Sequence, residues 1–378
     1  MAERGGRTLA LLVALLAAGC AGPAYGEGWV RSFSAARRAI AAGRHEEALS
    51  LLEQAAKDAR RARDRDEARF LYARILRRLD REPEALAVYE RMLREAPTGS
   101  RAARVRFEQA NTAIELGDPR SDELLVDAIA RHGEDGAAVT AIRTLVRRLR
   151  ETGTEEELRT RLASLHAKVK APEGVQQLEY ERGLSFAREG KLAEAHAELL
   201  ATARKFPLPH GPLTDDAYYQ ASVVSERMNE PRRAVEELRE LLGAREVAWF
   251  GQSYERPKYP FAQMRIAELY RDALGDLRGA RDEFRRVATT HESSILGDDA
   301  TWQEGVVSLR LAEPEEACRA AKRLKERYAS SRYLGCVRAL CATAEPPGGA
   351  RECPDYAAVQ LAPSAVLPRT APLSLDAP

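Results

Sequence analysis

The segment from Gln176 to Pro207 constrains the fold of this 378-residue chain more than any other stretch. Gly183 is followed three positions later by Phe186. Gly190 and the run Lys191-Leu192-Ala193-Glu194-Ala195 come next, then Leu199, Thr202 and Pro207. Two antiparallel helices pack closely only where one offers a small residue to the bulky residues of the other. The spacing places Gly183 midway along a first helix and Ala195 early in a second, with Phe186 and Leu199 filling the space between. Gly190 ends the first helix because glycine takes the left-handed conformation at little cost. Pro207 closes the second.

This pattern resembles the tetratricopeptide repeat, and weaker copies recur along the chain. Phe33–Ala42 with His45–Arg60 and Glu67–Arg78 with Pro83–Glu95 are the first two pairs, turning at Gly43 and Asp80. Arg101–Leu116 with Arg120–His132 and Gly136–Glu151 with Glu155–Val169 are helical by periodicity but lack the alanine signature. After Pro172 and the strong repeat come Thr214–Met228 with Pro231–Leu242, Pro260–Ala273 with Leu277–Thr290, and Asp298–Leu311 with Pro314–Tyr328. The resemblance implies an all-α, TPR-like α-solenoid, a superhelix of about eight antiparallel helix pairs, and such stacks present binding surfaces rather than reaction centres. The expected division is a leader over 1–19, a tether over 20–28, repeats over 29–170 (degenerate in 99–170), repeats with a cap over 173–341, and a Pro-rich, largely disordered tail over 343–378.

The charge balance limits the partners. Net charge is +1, with 31% charged and only 6% aromatic residues, so no global attraction to nucleic acid or anionic membrane is expected. At the N-terminus Arg4 and Arg7 precede an apolar run, Thr8 to Ala18, that is too short to span a bilayer. Leu16-Ala17-Ala18-Gly19-Cys20 resembles the lipobox of bacterial lipoproteins. That resemblance implies cleavage before Cys20, lipidation of Cys20 and, with Ala21 next, an outer-membrane lipoprotein facing the periplasm. A soluble periplasmic protein, cut after Ala24, is the alternative.

The other four cysteines, Cys318, Cys336, Cys341 and Cys353, cluster near the C-terminus. An even cluster in an exported protein reads as two disulfides that staple the end of the stack. Three pairings are open. The first choice is Cys318–Cys336, across an antiparallel helix pair, with Cys341–Cys353. Zinc is not expected, because CxxC spacing is missing and His291 is the nearest histidine.

No nucleophile, metal-ligand or phosphate-loop motif stands out, so no catalytic residue, metal or cofactor is expected. Candidate contacts are therefore sought on the first helices of successive pairs. Phe70, Arg74, Arg77 and Arg78 form one stripe; Tyr180, Tyr219, Val223 and Met264 form a second, more apolar one. An apolar groove rimmed by charge takes an extended or helical peptide. Ala280 lies 46 positions after Ala234, against a spacing of 39 from Ala195 to Ala234 and 37 from Ala280 to Ala317. The excess holds Trp249, Phe250, Tyr254 and Tyr259, and aromatic loops on rigid scaffolds are contact candidates. Leu213-Thr214-Asp215-Asp216-Ala217-Tyr218 and Gly297-Asp298-Asp299-Ala300-Thr301-Trp302 resemble repeat starts in periplasmic tetratricopeptide proteins, including outer-membrane assembly lipoproteins and cell-division coordinators. That resemblance implies a scaffold for envelope proteins or peptides. A coordinator of peptidoglycan synthesis, or a glycan-binding or enzymatic accessory using residues 247–259, are the alternatives.

Overall fold

The computed structural model describes residues 26–134, 136–244, 256 and 258–369. Within these the fold is all-α and of the TPR-like α-solenoid class. Eight helix pairs follow one another: α1 (Glu27–Ala41) with α2 (His45–Asp58), α3 (Ala62–Arg78) with α4 (Glu82–Glu95), α5 (Ala102–Glu115) with α6 (Ser121–Arg131), and α7 (Ala137–Thr152) with α8 (Glu155–His166). Then come α9 (Pro172–Arg188) with α10 (Leu192–Lys205), α11 (Thr214–Arg227) with α12 (Pro231–Gly243), α13 (Lys258–Asp272) with α14 (Leu277–Thr290), and α15 (Gly297–Arg310) with α16 (Pro314–Arg327). The chain divides into two compact units. The first comprises the described residues up to Arg148 with Ser164–Gly174; the second comprises Leu149–Ala163 with the described residues from Val175 onward.

Seven of the eight turns within pairs share one device. A single residue with positive φ reverses the chain at Gly43, Asp80, Gly117, Gly190, Asn229, Gly275 and Ala312. At Gly190 (φ 79°) the missing Cβ makes this conformation cheap. The following helix then begins within a few residues, in three pairs with a proline in its first turn: Pro83 in α4, Pro231 in α12 and Pro314 in α16. A fixed φ and a missing N–H suit that position.

Packing runs from neighbour to neighbour. In the first unit α1 to α6 each pack on the next; in the second, α10 to α16 do the same. The first helices of consecutive pairs also touch, as α11 does α13. Small residues let the helices approach: Ala48, Ala85, Ala195, Ala234, Ala280 and Ala317 are all fully buried. A Cβ at Gly183 would lie 2.8 Å from Leu199 Cγ, so the small-against-large pairing expected from the sequence is present.

The C-terminal end differs from expectation in two ways. The disulfides are Cys318–Cys341 and Cys336–Cys353, not Cys318–Cys336 and Cys341–Cys353. After α16 the chain forms a 3-10 turn (Leu334–Cys336) and only one helical turn, α17 (Val337–Leu340), which packs on α16 and brings Cys341 to Cys318. The returning segment presses on Gly335, where a Cβ would lie 2.0 Å from the carbonyl oxygen of Arg351 and 2.8 Å from the nitrogen of Cys353. That approach sets Cys353 beside Cys336. The tail is also structured where it was expected to be disordered. Residues 343–369 include α18 (Asp355–Ala358) and a 3-10 turn (Val359–Leu361), and Ala357, Gln360 and Leu367 are buried. Cys20, its leader and residues 370–378 lie outside the described residues.

Candidate protein-binding groove

A groove of about 830 Å³ opens between α2 and α4, with α3 as its floor. Helical periodicity builds it. On α3, Arg65, Arg69, Tyr72 and Leu76 recur at intervals of three and four and share one face. Glu84, Ala87, Val88, Arg91 and Arg94 do the same on α4, and Leu52, Glu53, Ala56 and Lys57 complete the wall from α2. Leu52, Leu76 and Val88 are buried, so the base is apolar. The groove thus lies between the second helices of two consecutive pairs. The residues expected on α3 from the sequence, Phe70, Arg74, Arg77 and Arg78, are not among its lining, which on that helix is Arg65, Arg69, Tyr72 and Leu76. The available signal was the Arg65, Arg69, Arg91, Arg94 pattern, which needs the α3–α4 packing before it reads as one surface.

The lining carries five cations (Lys57, Arg65, Arg69, Arg91, Arg94) and two carboxylates (Glu53, Glu84), an excess of three positive charges. Both carboxylates are engaged: Glu53 with Lys57 at 2.8 Å and Glu84 with Arg81 at 2.6 Å. Arg69 pairs with Glu95, and Arg94 stands 3.9 Å from Glu90. Among the described residues Arg65 and Arg91 make no ion pair or side-chain hydrogen bond. The Arg69 hydrogen bond holds the Glu95 carboxyl below its usual range, and the fields of Arg91 and Arg65 add to this. A concave surface with an apolar base, one tyrosine and unpaired guanidinium groups suits an anionic peptide, since Arg presents a planar fork to carboxylates.

The two stripes expected on the first helices are mostly interior. Phe70 is buried, with its ring 6.3 Å from that of Tyr89 and the Arg101 guanidinium 5.5 Å above it. Arg77 bridges to α5, donating to Glu115 at 3.1 Å and to Glu108. Arg74 and Arg78 alone in that stripe are exposed. Tyr180 and Tyr219 are buried with Val223 partly buried against the same core, and Met264 is buried in the apolar cluster that includes Trp302. These side chains hold the stack together, because the first helices of the second unit are enclosed on nearly every side: Ala300 to Ser308 is buried without interruption. Trp249, Phe250 and Tyr254 lie outside the described residues.

Buried polar groups in the second unit link successive layers. Arg265 on α13 donates to Glu226 on α11 at 2.7 Å and to Glu268 at 3.1 Å. Glu304 on α15, fully buried, accepts from Arg285 at 2.7 Å and pairs with Arg323. Ser225 donates to Glu237, which also meets His196. Each charge is matched across a helix interface, as burial demands. Among the described residues, no group of three or more His, Cys, Asp or Glu is placed to hold a metal ion.

None of the curated proteins matches the chain. Among solved structures, a tetratricopeptide repeat protein from Parabacteroides merdae ATCC 43184 is similar at 16% identity and a TM-score of 0.29, over 83% of this chain and 99% of that one. A Podosopora anserina protein of nearly identical TPR-like repeats, assigned as a kinesin light chain, is similar at 14% identity and a TM-score of 0.28, over 60% of this chain and 95% of that one. The family comparison falls on the stretch from the end of α1 to the start of α5 rather than on the 176–207 segment, where the sequence motif is most complete. Residues 39–106 match the tetratricopeptide repeat family, a span that contains every residue lining the basic groove.

Proposed function

We propose that this protein is a non-enzymatic scaffold for protein–protein interaction, lipid-anchored through Cys20 in the bacterial outer membrane, that serves the assembly or stability of an envelope complex. The observation that carries the binding role is the basic groove between α2 and α4, which lies wholly within the segment similar to tetratricopeptide repeats. Its chemistry favours an acidic segment of a partner protein. The two disulfides support an oxidising compartment, since such bonds persist outside the reducing cytosol. The Leu16 to Cys20 segment, similar to a lipobox, supports the anchor.

Two experiments test the reading. Crosslinking in intact membranes followed by purification recovers an envelope protein; recovery of none contradicts the scaffold role. Cys20→Ala moves the chain from the membrane to the soluble fraction; unchanged fractionation rules out the anchor.

A further inference from the structure

The segment after Cys353 lies across the first helices of the last two pairs and is held there in a way that a simple cap does not require. Gln360 is buried, and its side-chain oxygen accepts from Trp302 Nε1 and from Gln303 Nε2, both at 2.9 Å on α15. Seven residues on, Leu367 is buried in the apolar cluster that includes Trp302, Phe284 and Met264. Between these anchors the polar contacts are to backbone. Arg310 Nη2 donates to the carbonyl of Ala365 at 2.6 Å and reaches that of Ala362 at 3.4 Å. Arg271 Nη2, from α13, donates to the carbonyl of Pro368 at 3.1 Å. Arg369 closes the far end on Asp272 at 2.7 Å. Between the anchors Leu361 packs partly against the same cluster, whereas residues 362–364 are exposed and Val366 is 95% exposed.

Gln360 enters from the 3-10 turn, the chain turns again from Ala362 to Ala365 and then runs on to Arg369, so two anchored side chains and a row of donors for carbonyls hold a turned segment, as in peptide recognition. Arg271 and Arg310 are also close enough to repel. Burial, with Arg271 beside it, lowers the Arg310 pKa, and Asp272, which pairs with Arg271 at 2.6 Å, opposes that shift. We propose that this face of α13 and α15 is a peptide-binding site for a segment that enters through a tight turn bearing a side-chain amide and, seven residues later, offers an aliphatic side chain, and that residues 359–369 occupy it in cis. The site is separate from the basic groove and does not depend on it. The Cys336–Cys353 disulfide fixes the root of the tail, which keeps the local concentration of the cis segment high. A peptide in trans binds only in the fraction of molecules whose tail has left.

The test uses the full chain and a fluorophore-labelled synthetic peptide spanning residues 358–369. Gln360→Ala with Leu367→Ala frees the tail, and fluorescence anisotropy then shows peptide affinity raised about tenfold or more over the unaltered chain. Adding Arg310→Ala removes that gain. Equal affinity for the unaltered and tail-loosened chains overturns the proposal. Should the double variant fail to fold, hydrogen exchange on the unaltered chain decides. Excess peptide carrying Val366→Ile, a change at an exposed position, speeds amide exchange in residues 359–369 while α13 and α15 stay protected. No change in tail exchange overturns the proposal.

Discussion

Gly183 and Leu199 show how single residues set the spacing of this stack. With Leu199 fully buried and its Cγ 2.8 Å from where a Cβ would sit, a larger residue at position 183 has nowhere to go. Gly183→Val should destabilise the second unit by about 1–3 kcal/mol, the usual range for overpacking, as read by chemical denaturation. An unchanged midpoint would mean that the helices separate freely there. Glu316 gives a pH test. The Arg319 hydrogen bond, with Arg285 assisting, holds its carboxyl down from 4.5 to about 2. A depressed acid contributes stability that is fully present above its unfolded pKa and is lost as pH falls through the folded one. Stability should therefore decline between pH 4.5 and about 2, and Glu316→Gln should flatten part of that decline. Identical pH profiles for the two proteins would contradict the assignment. Gly183 and Leu199 were legible from the sequence because the motif is made of such packing residues. The groove arginines were not, since solvated helix faces and binding faces carry the same residue types.

At the scale of elements, the helix pairs follow from periodicity and turn residues, whereas the end of the chain does not. One helical turn at α17 carries too little periodic signal to position Cys336 against Cys341, so the disulfide pairing was not readable. The tail lacks periodicity altogether and is held by Gln360, Leu367 and backbone carbonyls, which leave no pattern in a sequence. Its order depends on the Cys336–Cys353 bridge, which closes a loop with a sequence separation of 17. Replacing both cysteines by serine should remove about 3 kcal/mol from the closed arrangement, on the loop-entropy estimate. Hydrogen exchange should then rise across α18 and the residues up to 369 while α13 and α14 remain protected. Uniformly unchanged exchange would show that the tail holds without its staple.

For the whole molecule, the division of labour is between buried charge and surface charge. Within the second unit Arg265, Arg285 and Arg323 are matched by Glu226, Glu268 and Glu304, so their role is to fix the order of the layers. In the first unit Arg65 and Arg91 face the α2–α4 groove without ion-pair partners among the described residues, and their charge is available to another protein. The fold class was legible from repeat spacing over much of the chain; the candidate groove was not, because its lining comes from α2, α3 and α4 together and is made of residues that the packing motif does not fix. The most direct measurement is the affinity of the full chain for an envelope protein recovered by crosslinking, taken against salt concentration for the unaltered chain and for Arg65→Ala with Arg91→Ala. The account predicts binding that weakens with salt and falls about tenfold or more in the double variant, as expected for arginine anchors at the centre of an interface. Equal affinity in both chains, or indifference to salt, would contradict it.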